Sequence, residues 1–327
     1  MPESIKYKPF GELLKKIVDN RGRTCPTSDY GIPLIATNCI KNENLYPVFE
    51  KVRFVSQDTF DTWFRGHPEP DDIIFVNKGT PGRVCLVPNP LNFCIAQDMV
   101  ALRANEKEIY PKYLFAALRS SVIQDEIENL HVGSLIPHFK KGDFNLLKIP
   151  IPDNTTQIFI GDLYYNLSLQ VDLLHRQNKT LEQLAETLFR QWFVEEAEES
   201  WEIGTIDDVV SMKGGTTPST NESKFWDGNV HWTSPRDLSN TTSIFLFDTS
   251  RKITEEGLKQ ISSGLLPIGT LLLSSRAPIG YLALTEIPVA INQGYIAIIC
   301  NKIVSNYYMY LWCKANMETI ENAGNGS

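Results

Sequence analysis

Residues 156–196 read TQIFIGDLYYNLSLQVDLLHRQNKTLEQLAETLFRQWFVEE, and their reading decides the architecture. No glycine or proline follows Gly161 within the stretch. Its apolar residues Ile160, Leu163, Leu167, Val171, Leu174, Leu181, Leu184, Leu188, Phe189 and Trp192 recur at spacings of three and four, which places them on one face of a long helix. Asp153, Thr155 and Thr156, coming after Pro150 and Pro152, are the N-cap candidates. About forty residues at ~1.5 Å each span about 60 Å. A helix that long, with a seam of Leu163, Leu167, Val171, Leu174, Leu181, Leu184, Leu188 and Trp192, needs a partner helix to bury it. Asn178, one heptad after Val171, is either a register-fixing polar residue or a plain interruption of the seam.

Outward from this helix the chain repeats itself. Arg21-Gly22-Arg23-Thr24-Cys25-Pro26 on one side corresponds to Lys213-Gly214-Gly215-Thr216-Thr217-Pro218 on the other. Ile73-Ile74-Phe75-Val76-Asn77-Lys78-Gly79-Thr80-Pro81-Gly82 corresponds to Leu271-Leu272-Leu273-Ser274-Ser275-Arg276-Ala277-Pro278-Ile279-Gly280. Ile95-Ala96-Gln97 then matches Ile291-Asn292-Gln293, and Tyr113-Leu114-Phe115 up to Gly133-Ser134 matches Tyr307-Tyr308-Met309 up to Gly326-Ser327. Four matches in one order at a near-constant offset describe a duplication. Within each flank the apolar runs are short, β-branched and bounded by Gly, Pro and Asn, which is strand chemistry. Val84–Val87 and Phe93–Leu102 are expected to pair with Ile73–Val76, and Leu282–Leu284 and Tyr295–Ile299 with Leu271–Leu273. Tyr113–Ile127 and Tyr307–Ile320 carry helical spacing. The expected fold is α+β: two similar mixed α/β domains, residues 1–152 and 200–327, separated by a long coiled-coil-type helical spacer, residues 153–199.

Composition narrows the function. Hydrophobic residues make up 42% and charged residues 21%, the balance of a globular chain. No segment approaches the ~18 unbroken apolar residues of a membrane helix, and no signal peptide opens the chain. Cys25, Cys39, Cys85, Cys94, Cys300 and Cys313 form no CxxC pair, so reduced thiols in a cytoplasmic protein are expected and a metal site is not. The net charge of −8 is unevenly spread. Residues 1–152 carry 19 basic and 18 acidic side chains, residues 153–199 carry 3 and 9, and residues 200–327 carry 9 and 12. The acidic excess belongs to the helix, so any nucleic-acid contact belongs to the flanks. A phosphate loop of the GxxxxGK[ST] type is missing. Asn89-Pro90-Leu91-Asn92-Phe93 fails as an amino-methyltransferase motif at Leu91, and Pro70-Asp71 with Lys78 fails as a nuclease motif at Val76. His67, His131, His138, His175 and His231 stand in no ligand or triad spacing and read as structural or surface residues.

The ordered set resembles the specificity subunits of type I restriction–modification systems over nearly the whole chain. The resemblance rests on the duplicated flanks, on Lys148-Ile149-Pro150-Ile151-Pro152 followed by Gln157-Ile158, and on the Leu/Phe-rich run from Leu181 to Phe193. It implies that each flank reads one half of a bipartite site on double-stranded DNA. It also implies that the helix sets the spacing and docks methyltransferase subunits, and that a motor–nuclease subunit joins in the full complex. S-adenosylmethionine, ATP and Mg²⁺ would belong to those partners, leaving this chain without a cofactor and without catalysis. The family carries a second long helix after its second recognition domain, and here Gly326-Ser327 aligns with Gly133-Ser134, before such a helix would start. Self-association through the exposed seam is therefore an expectation.

DNA contacts are expected from loops offering Arg, Lys, Asn, Ser and Thr, with glycines permitting close approach. In the first flank these are Arg21, Arg23, Thr24, Asn38, Lys41, Asn77, Lys78, Thr80 and Arg83. In the second they are Lys213, Thr216, Thr217, Ser219, Ser234, Arg236, Ser274, Ser275 and Arg276. Gly82 and Gly280 read as turn glycines with positive φ, and Trp226 and Trp232 as core. Two alternatives compete: a scaffold holding two protein-binding domains apart, which predicts no salt-dependent DNA affinity, and a stand-alone DNA-modifying enzyme, which predicts cofactor binding by the isolated chain.

Overall fold

Ile73–Val76 (IIFV) is buried along its whole length, and alternation explains the unbroken apolar run. Ile73 and Phe75 face one core with Val84, Leu86, Val100 and Leu102, while Ile74 and Val76 face a second core with Cys85, Val87, Met99 and Ala101. Successive side chains of a strand point to opposite faces, so a strand covered on both sides must be apolar at every position. The computed structural model describes residues 6–20, 22, 24–95, 97–130, 132–133, 136–239, 243–276, 278–300 and 303–325. Outside these lie Arg21, Arg23, Ala96, His131, Ser134, Ala277, Gly326 and Ser327, all singled out above. The chain divides into two compact units, residues 1–178 and 179–327.

In chain order the first unit contains β1 (Lys6–Pro9), β2 (Leu14–Val18), β3 (Ile32–Ile35), β4 (Arg53–Val55), α1 (Gln57–Thr62), β5 (Ile73–Val76), β6 (Val84–Leu86), β7 (Cys94–Ile95), β8 (Met99–Ala104), α2 (Pro111–Arg119), α3 (Ser121–Leu130) and β9 (Lys148–Ile151). One sheet runs β2-β8-β5-β6 and a second β4-β3-β7, while β1 and β9 form an antiparallel pair. Helices α2 and α3 pack their apolar sides, Leu114, Phe115, Leu118, Ile123 and Ile127, against the Phe75 face of the larger sheet. β9 leads into α4 (Asn154–Arg190), whose N-terminus is capped by Asp153: its Oδ1 accepts the Thr156 backbone N–H at 3.0 Å.

The second unit repeats this plan. It contains β10 (Val210–Gly214), β11 (Trp226–Thr233), α5 (Pro235–Leu238), β12 (Phe245–Leu246), β13 (Arg251–Ile253), α6 (Glu255–Leu258), β14 (Leu271–Ser274), β15 (Leu282–Thr285), β16 (Ala290–Ile291), β17 (Tyr295–Cys300), α7 (Asn306–Ala315) and α8 (Met317–Asn325). Its sheets run β10-β17-β14-β15-β12 and β13-β11-β16. The parallel pairs β3·β7 and β11·β16 register Ile35 with Ile95 and Thr233 with Ile291, so the duplication extends to strand register.

Three expectations are corrected. Phe93–Leu102 is two strands: Cys94–Ile95 joins β3, and Met99–Ala104 joins β5 and β2, because the chain crosses between sheets at Asp98 (φ 64°). Tyr113–Ile127 is two helices broken at Ser120, which is extended (ψ 145°). Tyr307–Ile320 likewise breaks at Asn316 (φ −106°, ψ 16°). Helical spacing does not register such a kink when the residues on both sides still face the core.

The long helix continues as α4 to Arg190, followed by a single π-turn, Gln191–Glu195. The seam residues Leu163, Leu167, Val171, Leu174, Leu181, Leu184 and Trp192 are exposed, and Leu188 is half-buried. The buried side of its first half is instead made by Tyr164, Tyr165 and Leu169 against the first unit's core. Gly161 permits this approach, since an added Cβ would fall 2.7 Å from the Tyr113 backbone nitrogen. In the second unit Phe189 is buried, with its ring centroid 5.2 Å from Tyr308.

Candidate nucleic-acid interface

In the second unit, β10, β11, β14 and β16 all end at one edge, where hydrogen bonds tie their exit loops together. The Thr216 N–H donates to the Ile291 carbonyl (3.1 Å), the Asn292 N–H to the Thr233 carbonyl (3.1 Å), and the Ser275 N–H to the Gly294 carbonyl (2.8 Å). The Thr217 hydroxyl donates to Gln293 Oε1 at 2.7 Å, and the Thr216 hydroxyl to the Gln260 carbonyl at 2.8 Å. Thr216, Thr217, Ser275 and Gln293 therefore belong to one surface, with Ser219 and Arg276 exposed on the loops that build it, Lys213 exposed near the end of β10 and Arg236 exposed on α5. Ser234 caps α5: its backbone N–H donates to Asp237 Oδ2 at 2.8 Å. Burial works against the Asp237 carboxylate, yet the bonds donated by Ser234, Ser250 and Thr233 hold its pKa below the ordinary value.

The first unit assembles the same edge. The Asn77 and Lys78 N–H groups both donate to the Asp98 carbonyl, at 2.8 and 3.2 Å. Asn20 Nδ2 donates to the carbonyls of Gly66 (2.9 Å) and Ile95 (3.0 Å), so Asn20 is fixed beside Ile95. Thr24, Asn38 and Lys78 are exposed; Lys41, Thr80 and Arg83 are half-buried. Asn38 and Lys41 both hold Glu50, the amide on its carbonyl at 2.6 Å and the ammonium on its carboxylate at 2.5 Å. Gly82 (φ 89°) and Gly280 (φ 98°) occupy the left-handed region that the turn demands.

Two expected contacts are corrected. Asn77 and Ser274 are 0% exposed. The Asn77 amide donates to the Phe139 carbonyl (2.9 Å), and the Ser274 hydroxyl to the Pro278 carbonyl (2.9 Å) while accepting the Tyr281 N–H (2.8 Å). Both side chains brace the turn from inside and cannot reach a ligand. Sequence reasoning passed over Gln97, Gln293 and Arg65. The first two lie in the Ile-x-Gln repeat match, so their signal was present. Arg65 is a neighbour of Asn20 only in space, through its N–H on Asn20 Oδ1 at 2.9 Å.

Of the exposed cations, Lys78 lies 4.0 Å from Asp98, while Lys213, Arg236 and Arg276, like the half-buried Arg83, make no ion pair among the described residues. Amide, hydroxyl and guanidinium donors on glycine-containing loops suit phosphate oxygens and base edges. Among the described residues no group of three or more His, Cys, Asp or Glu is placed to hold a metal, and no helix is long and apolar enough to cross a membrane. Trp226 and Trp232 are core, 6% and 5% exposed.

The duplicated fold and its paired loop edges coincide with a known family. The model of the type I restriction modification DNA specificity domain matches residues 2–183 and again 198–327, and the chain belongs to that family. Among its relatives, the specificity subunit of the type I restriction enzyme MjaIX of Methanocaldococcus jannaschii is 38% identical over 144 residues, 43% of this chain and 33% of that one. The specificity subunit of the HindI enzyme of Haemophilus influenzae is 22% identical over 314 residues, 71% of this chain and 67% of that one. The crystal structure of a type I restriction–modification S subunit from M. genitalium superposes with a TM-score of 0.58 at 17% identity, covering 100% of this chain and 81% of that one. That likeness supports the two-domain fold with its long helix.

Proposed function

We propose that the chain is the non-catalytic DNA-reading subunit of a type I restriction–modification complex, each unit reading one half of a bipartite site. The observation that carries this reading is the duplicated loop edge. Equivalent strands of both units end in hydrogen-bonded loops that present Lys78 and Arg276 at the same turn position, before Gly82 and Gly280. Two related readers joined by one helical connector suit two separated half-sites. At 1.5 Å per residue the 37 residues of α4 extend about 55 Å, and this helix sets the spacing. Its exposed seam docks methyltransferase subunits, and from 173 to 181 every side chain is exposed. A motor–nuclease subunit completes the complex, and S-adenosylmethionine, ATP and Mg²⁺ are handled by the partners.

The test is modified-base mapping of DNA from cells expressing this chain with its methyltransferase, against methyltransferase alone. Methylation at a two-part site only in the presence of the chain is the expected result. A pattern identical with and without it would overturn the reading.

A further inference from the structure

Residues 136–141 lie far in sequence from the loop after β5, yet they are strapped across it. The Gly79 N–H donates to the Pro137 carbonyl (2.9 Å), and the Phe139 N–H to the Asn77 carbonyl (2.8 Å). Lys78 and His138 form a β-bridge, and His138 bridges back to Val132. The buried Asn77 side chain serves this strap, its amide donating to the Phe139 carbonyl. Phe139 and Phe144 are 0% and 2% exposed, with ring centroids 5.5 Å apart, and a short 3-10 turn, Lys141–Asp143, runs between them. With an anchor on either side, the intervening residues must loop outward, and Lys140, Lys141 and Gly142 are exposed.

The same turn reaches the neighbouring loop. Lys141 Nζ lies 3.4 Å from Asp19, whose carbonyl accepts Arg65 Nη1 at 3.5 Å. Lys78, Lys140, Lys141 and Arg65 thus line an edge whose acidic neighbours are Asp19, Asp98 and the half-buried Asp143. Lys140 makes no ion pair among the described residues.

We propose that the 137–141 strap is a second DNA-contacting element of the first unit, with Lys140 and Lys141 taking backbone phosphates beside the loop that carries Lys78. The inference rests on the DNA-reading function proposed above. Phosphate contacts orient a protein on the duplex and carry its salt dependence, whereas base-edge contacts carry sequence.

The test is fluorescence anisotropy of the full chain on a random-sequence duplex, with salt raised from about 50 to about 200 mM. The K140Q/K141Q variant is compared with a K15Q/K107Q control. Lys15 lies in β2 near Leu14, which registers with Ala104, and so sits at the strand's other end from Asn20. Removing one lysine from a phosphate makes the slope of log affinity against log salt shallower by ~0.9. Asp19 already compensates Lys141 in part, so K140Q/K141Q is expected to flatten the slope by at least ~0.9 but less than ~1.8, and the control not at all. Wild-type salt dependence that K140Q/K141Q retains, or an equal flattening in the control, overturns the strap and leaves DNA reading intact. Wild-type protein without salt-dependent binding overturns DNA reading itself, and the strap with it.

Discussion

Arg119 and Lys314 lie in the last turns of α2 and α7, and each lies over the aromatic ring four residues earlier: Phe115 at 4.4 Å and Tyr310 at 5.6 Å. From these like positions they do different things. The Arg119 guanidinium donates to the carbonyls of Lys41 (3.5 Å), Asn44 and Val84 (2.8 Å), which closes the first unit over its 41–45 loop. Asn42 and Gln124 complete that closure, Asn42 Oδ1 accepting the Val84 N–H at 2.9 Å. Lys314 reaches Glu186 of α4 instead, and an open cavity of about 460 Å³ stands nearby, lined by Glu182, Leu238, Tyr281, Tyr310 and Met317. A planar fork of five donors can serve several carbonyls at once, whereas an ammonium is a point charge that finds a carboxylate. One unit turns its cation to its own loop and the other to the long helix.

The comparison breaks most readily at Arg119. Arg119→Ala strips the charged donor from the Asn44 and Val84 carbonyls and is expected to cost the first unit about 3 kcal/mol, whereas Lys314→Ala removes a part-exposed pair and costs less than ~1 kcal/mol. Denaturation followed by hydrogen exchange assigned to each unit checks both, and equal losses would erase the distinction. Gly161→Ala comes next, at about 2 kcal/mol, because the new methyl meets the Tyr113 backbone and the gain in helix propensity offsets only part of the strain. A variant as stable as wild type, by the same measurement, would show that α2 and α4 can separate without cost.

An acid titration separates the units by a smaller amount. Asp237 follows Ser234 and Arg236 in α5, and the like place in the first unit is held by the buried Cys39. Folding lowers the Asp237 pKa, so its contribution is complete above the unfolded value and is lost as pH falls through the depressed folded value. The second unit is therefore expected to lose stability below about pH 4 by an amount that Asp237→Asn abolishes, with no counterpart at Cys39. Thermal melts of wild type and variant between about pH 2 and pH 5 give the answer, parallel curves being the contrary result. The smallest effect concerns Lys78 and Arg276. Asp98 already compensates Lys78 in part, so Arg276→Gln should flatten the salt slope of DNA binding by the full ~0.9 and Lys78→Gln by less.

Much of the fold was legible because it is periodic. The burial of Ile73–Val76 and Leu271–Leu273 follows from uninterrupted apolar runs between turn residues, and the left-handed Gly82 and Gly280 follow from the turns they close. The loop edge was legible as a set, since the repeat picks out equivalent positions twice. Its individual members were not. Asn77 and Ser274 look like polar loop residues, yet both are engaged inside the turn, Asn77 on a carbonyl 62 residues away and Ser274 on the Pro278 carbonyl of its own turn.

The sequence by itself determined the duplication, the short apolar strand runs, the long capped helix and the families of loops able to meet a polar ligand, because each is a local pattern or a comparison of local patterns. Only the tertiary structure decided which flank of α4 is covered, Tyr164, Tyr165 and Leu169 packing inward while Leu163, Leu167 and Val171 stay exposed. It also decided that the 137–141 strap lies on the Lys78 loop, and that Arg119 turns to its own loop while Lys314 turns to the helix. Periodicity states which residues share a face. Which face is buried depends on contacts between segments distant in sequence, whose pairing is settled by packing and by the need of buried polar groups for partners.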